Sequence, residues 1–99
     1  MKIEVPRERI EEFCRRWHVS ELALFGSVLR DDFRPDSDVD VLVTFEPAAH
    51  VSLFRFVEMQ AELAAILGRA VDLVEKPALR NPFVRRHVLD HNRVIYAAA

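Results

Sequence analysis

The sequence predicts an α/β domain in which helices and strands alternate, and three observations carry that prediction. Apolar residues recur at i, i+3, i+4 and i+7 across 7–17, the period of a helix buried along one stripe. The runs 22–25, 38–45 and 69–75 are instead short and apolar, the latter two rich in valine, as strands are. Gly26, Pro35, Pro47 and Gly68 separate these segments at short intervals. With 99 residues there is room for one domain, 1–99, with a modest core and no separate substrate domain.

Pro6 suits the first turn of a helix that runs to about Trp17. Ile10, Phe13, Cys14 and Trp17 form its buried stripe, with Glu8, Glu11, Glu12, Arg15 and Arg16 elsewhere. Arg15 and Arg16 read as a solvated face ahead of a partner surface. His18 belongs to the loop before the first strand, 22–25, which Gly26 ends. A short helix follows over 28–33, then a turn at Pro35, Asp36 and Ser37, then a strand over 38–45. The next helix, from about Val51 to Leu67, carries Leu53, Phe56, Val57, Leu63, Ala64 and Leu67 on its apolar stripe, and Gly68 stops it. Phe54, Met59 and Ile66 lie partly off that stripe, so this helix is either buried on more than one side or leaves an apolar patch for a partner protein. His50 at its start suits a neutral or capping role better than a metal role. The segment 69–75 is the third strand. Asn81 as N-cap and Pro82 in the first turn open a helix to about His91, and 93–96 is a terminal edge strand.

Composition excludes several classes. A formal charge of −2 lacks the basic excess of a general nucleic-acid binder, so direct nucleic-acid binding is disfavoured. Cys14 is the single cysteine, which rules out an internal disulfide or a cysteine-based zinc site and suits a small buried residue in a reducing compartment. No segment has the apolar core of a signal peptide or approaches the ~20 apolar residues of a membrane span, so a cytoplasmic protein is expected.

The chemistry concentrates between Gly26 and Asp40. Where a buried strand turns sharply at Gly26, free backbone N–H groups and the Ser27 hydroxyl can hold an anion such as phosphate. Arg30, one turn on, can reach phosphate oxygens, unless it is a surface residue paired with Asp31 or Asp32. On the following strand, alternation places Asp38, Asp40, Leu42 and Thr44 on one face and Val39, Val41, Val43 and Phe45 on the other. Asp38 and Asp40 are then about 7 Å apart. Such a pair is self-repelling unless a cation lies between, and all-oxygen ligands suit magnesium or manganese. Asp36, Asp38 and Asp40 also have the 1, 3, 5 spacing of a calcium loop, but Val41 and Pro47 stand where that loop needs Gly and Glu. A phosphate-holding turn and a carboxylate pair on one short connection imply a metal–nucleotide site.

Gly-Ser, ten residues and Asp-x-Asp, with Asp72 on a later strand as a third carboxylate, resemble the nucleotidyltransferase superfamily related to DNA polymerase β. The short length and the Arg80-Asn81-Pro82-Phe83 segment resemble its minimal members, the MNT antitoxins paired with HEPN-domain toxins. The resemblance implies a small mixed sheet flanked by helices, the nucleotidyltransferase-like fold. It also implies transfer of AMP from ATP to a hydroxyl, with Gly26, Ser27 and Arg30 on the triphosphate. Asp38 and Asp40 would hold one Mg2+ ion, and with Asp72 a second; Asp72 would accept the hydroxyl proton. The acceptor implied is a tyrosine of a HEPN ribonuclease toxin, which modification silences. A lone Asp within an apolar strand favours function for Asp72 over a salt bridge with a neighbouring arginine. Lys76 is a weaker phosphate contact. Arg80 and His87 match the spacing of a HEPN ribonuclease motif only by chance, because Pro82 interrupts it. Tyr96 is an interfacial core residue in preference to an adenylyl acceptor. Two other readings stand beside this one: a non-catalytic antitoxin that occludes its toxin, and a nucleotidyltransferase for a small hydroxylated molecule, which would ordinarily carry a further acceptor domain.

Overall fold

The computed structural model describes residues 3–29, 37–78 and 80–98. In chain order these form α1 (Arg7–Arg16), β1 (Val19–Phe25), β2 (Val39–Phe45), α2 (Leu53–Leu67), β3 (Val71–Glu75), α3 (Pro82–Asp90) and β4 (Asn92–Ala97). Two 3-10 turns, Gly26–Leu29 and Lys76–Ala78, follow β1 and β3. The strands make one mixed sheet in the order β3-β2-β1-β4. β1 pairs antiparallel with both β2 and β4, and β2 pairs parallel with β3. A parallel neighbour requires a long crossover, which α2 provides.

The caps follow local chemistry. Ser52 accepts the Arg55 N–H at 3.2 Å to open α2, and Gly68 ends it in the left-handed region at φ 68. The capping role at this helix falls to Ser52, and His50 is exposed. Asn81 Oδ1 accepts from the Phe83 and Val84 N–H groups at 3.0 and 3.3 Å, with Pro82 in the first turn of α3. His18 links α1 to β1 with a positive φ of 56.

Strand alternation sorts the side chains into two layers. Val39, Val41 and Val43 join Leu22, Leu24, Val71 and Leu73 beneath α1 and α2, which contribute Ile10, Phe13, Cys14, Trp17, Met59, Leu63 and Leu67. On the other face, Val88 of α3 covers Ala23 and Leu42, with Phe25 and Val74 at the margin. Cys14 is fully buried, and that burial pushes its thiol up to about 12. At the α1–α2 seam Glu62 accepts from the Trp17 indole N–H at 3.0 Å and from Arg16, while the Arg55 guanidinium lies 4.5 Å over the Trp17 ring.

The expected stripe of α2 needs correction. Leu53 and Val57 are 78% and 57% exposed, and Met59, placed off the stripe by the sequence, is fully buried. The face that packs runs through Phe56, Met59, Leu63 and Leu67. The helix is apolar over more than half its circumference, and β3 is the sheet's edge strand. The sheet therefore takes one margin of a wide stripe, and the other margin overhangs.

Candidate active site

Gly26 closes β1 with a φ of 74 and begins the 3-10 turn that continues through Ser27, Val28 and Leu29. Of the helix expected over 28–33, Val28 and Leu29 belong to this tighter 3-10 turn, and 30–33 lie outside the described residues. Val28 is buried to 1% in the main core and pins the turn, leaving Ser27 half-buried beside it. Arg30, Asp31, Asp32 and Asp36, for which the sequence suggested roles, lie outside the described residues.

Register brings the carboxylates to this turn. Phe25 pairs with Asp40 across β1 and β2, and Asp40 pairs with Asp72 across β2 and β3. Residues in direct register share a face, so Asp40 and Asp72 stand side by side at about 4.8 Å, the spacing of neighbouring strands. Both alternate with core residues, Asp40 between Val39 and Val41 and Asp72 between Val71 and Leu73. The Val39 N–H donates to the Ala70 carbonyl at 2.9 Å, which ties the entry of β2 to that of β3. Asp38 sits one residue before β2 and is exposed, as is Asp72, while Asp40 is half-buried.

Gly26 and Asp40 are in close approach. A Cβ built on Gly26 would overlap the Asp40 carboxylate oxygen and come within 3.2 Å of its Cγ. A side chain here is therefore strained by the backbone conformation and would require the carboxylate to shift. The sequence shows the glycine but not this contact, because it depends on how β2 pairs with β1.

The donors fit a divalent cation in kind. They are carboxylates on one face, beside a turn whose missing side chain leaves room for the Asp40 carboxylate, and oxygen-only donors are the chemistry of magnesium. Among the described residues, no three His, Cys, Asp or Glu side chains already gather closely enough to hold an ion. The preformed part is the Asp40–Asp72 pair.

The description "Nucleotidyltransferase domain" matches residues 7–95. The chain belongs to the nucleotidyltransferase domain family. It is a nucleotidyltransferase, and the sheet, helices and Gly-Ser turn described above are that domain. It is 44% identical over 71 residues to the protein adenylyltransferase MntA of Thermococcus cleftensis, covering 72% of this chain and 70% of that one. In fold it is similar to a toxin–antitoxin structure with AMP-PNP, at a TM-score of 0.72 and 21% identity, covering 94% of this chain and 74% of the other. It is also similar in fold to a structure of a tri-AMPylated Shewanella oneidensis HEPN toxin in complex with an MNT antitoxin. There the TM-score is 0.64 and the identity 20%, over 93% of this chain and 70% of that one.

Other residues singled out in the sequence make contacts of their own. Lys76 opens the turn after β3, where its carbonyl accepts from Arg85 Nη1 at 3.3 Å. His87 stacks on His91 at 4.4 Å along α3. Tyr96 packs against the main core from β4. Sequence reasoning passed over Gln60, yet its Oε1 accepts the Leu73 backbone N–H at 2.9 Å, one residue from Asp72. The available signal was a polar residue between Phe56, Met59 and Leu63 on the packed side of α2.

Proposed function

We propose that this chain is an antitoxin that transfers AMP from ATP to a hydroxyl, a tyrosine, of a HEPN-domain ribonuclease partner. The observation that carries this reading is Asp40 level with Asp72, its carboxylate set against the Gly26 turn. The adenylyltransferase name of the Thermococcus relative and the complexes formed by the fold neighbours support it.

Gly26 allows the triphosphate to approach the backbone, and the Ser27 hydroxyl donates to its outer phosphate oxygens. Arg30 adds positive charge there. Asp38, Asp40 and Asp72 would hold Mg2+, two ions in all. When bound, magnesium supplies neutralisation of the phosphate charge and polarisation of the acceptor hydroxyl. Asp72 accepts the hydroxyl proton as that oxygen attacks the α-phosphorus. One O–P bond forms, the bond from the α-phosphorus to the bridging oxygen breaks, and pyrophosphate departs. A protein acceptor accords with the apolar surface left on α2 at Leu53, Phe54 and Val57, which adjoins a cleft of about 410 Å3 lined by Val51, Phe56, Leu73 and Val74.

The test is intact-protein mass spectrometry of the product of the reading frame adjacent to this chain's gene, after incubation with the chain, ATP and magnesium. A gain of one or more AMP units is expected, and Asp40→Asn or Asp72→Asn should abolish it. Neutralisation of the partner with no mass gain would replace this reading with occlusion. Transfer to a small hydroxylated compound without any protein partner would replace it with small-molecule modification.

A further inference from the structure

We propose that Gln60 is a positioning residue that holds Asp72 level with Asp40 by fixing the edge strand β3. The inference rests on the reading of these two aspartates as metal ligands. β3 has five residues and, as the edge of the sheet, is bonded to a strand on one side only. Along a strand, successive N–H groups point to opposite edges, and the Leu73 N–H turns away from β2. Gln60 Oε1 meets it at 2.9 Å.

Gln60 is well placed to fix something. Its neighbour Met59 and Leu63, one turn on, are both fully buried, so the backbone from which the amide extends is held by the main core. Asp72 is exposed, so packing among the described residues covers little of its side chain. Its position is inherited from the β3 backbone, tied at its entry by the Val39–Ala70 hydrogen bond and in its middle by Gln60. A carboxylate pair separated by one strand spacing binds a small cation only while that spacing is kept, since magnesium demands near-ideal ligand geometry. Loss of the Gln60 bond frees the outer side of β3 at the residue next to Asp72.

The measurement is Mn2+ affinity, from the electron paramagnetic resonance of free Mn2+ titrated with the folded chain, alongside hydrogen exchange of the Leu73 amide. Gln60→Leu, which lacks an acceptor, should weaken Mn2+ binding roughly tenfold and speed Leu73 exchange. Gln60→Glu keeps an acceptor oxygen and should restore both. If Gln60→Leu does not fold, Gln60→Ala takes its place. Asp72→Asn in the same titration separates the two layers of the argument. If it binds Mn2+ as the parent does, Asp72 is not a ligand and both readings fall. If Asp72→Asn loses binding while Gln60→Leu keeps it, or Gln60→Glu is no better than Gln60→Leu, Gln60 only satisfies an edge N–H and the positioning role is overturned.

Discussion

The two faces of the sheet perform different work with the same strands. Under α1 and α2, Val39, Val41, Val43, Val71 and Leu73 are buried in one continuous core. On the opposite face the same strands present Asp40, Leu42, Asp72 and Val74, and among the described residues Val88 of α3 is buried there with Ala23 and Leu42. Because side chains alternate, the valines can clamp β2 and β3 without placing either aspartate in the core. The closed face supplies rigidity, and the open face can keep charged groups within reach of water. Binding chemistry on rigid strands is held more precisely than on loops.

The sharpest way to break this contrast is to damage each face separately. Leu63→Ala, in the closed layer and fully buried, should lose about 2–5 kcal/mol in urea unfolding. Leu53→Ala, on the same helix but 78% exposed, should stay within about 0.5 kcal/mol of the parent. Equal losses would mean that the overhanging side of α2 is also structural. On the open face, Asp40→Asn should reduce AMP transfer at least about a hundredfold. It should leave the melting temperature within a few degrees, since a half-buried polar substitution creates no cavity.

The two described glycines make a smaller and cleaner version of the same contrast. Gly26 and Gly68 both have positive φ, 74 and 68, so alanine at either should cost about 1–2 kcal/mol from backbone conformation. An added Cβ at Gly68 meets nothing within 4 Å, whereas at Gly26 it meets Asp40. Gly68→Ala should therefore lower stability alone, and Gly26→Ala should lower stability further and remove transfer. Thermal melts and the mass-gain assay on both variants check this. Retained transfer in Gly26→Ala would show that Asp40 can move aside without consequence.

Much of this was legible because it is local. The stripe of α1, the Asn81 and Gly68 caps and the parity of β2 each depend on residues within one element, and each agrees with the structure. Asp72 was suspect as a charge within an apolar strand, but its alignment with Asp40 depends on the β2–β3 register, which no spacing dictates. The stripe of α2 was misjudged for a related reason. Leu53 and Val57 have helical spacing to Leu63 and Ala64, but which margin of a wide stripe is buried depends on where the sheet ends. Gln60 escaped because its partner is a backbone N–H, and backbone groups leave no trace in side-chain pattern.

The smallest expected effect lies at the rim of the closed face, and its sign with pH is fixed by Glu62. Burial pushes this carboxyl up, but hydrogen bonds from Arg16 and Trp17 and the charges of Arg16 and Arg55 outweigh it and hold the group below its ordinary 4.5. A lowered folded-state pKa means that the folded chain binds the proton less readily than the unfolded one. The resulting stability is fully present above 4.5 and is lost as pH falls through the lower, folded value. Glu62→Gln should therefore melt slightly below the parent at pH 7, by a few degrees at most because the Arg16 partner is solvent-screened, and the two curves should converge in acid. AMP transfer at pH 7 should be equal in the two proteins, since the seam between α1 and α2 lies across the sheet from Asp40 and Asp72. A fall in transfer at unchanged melting temperature would mean that the two faces are coupled through the sheet more tightly than strand alternation alone provides.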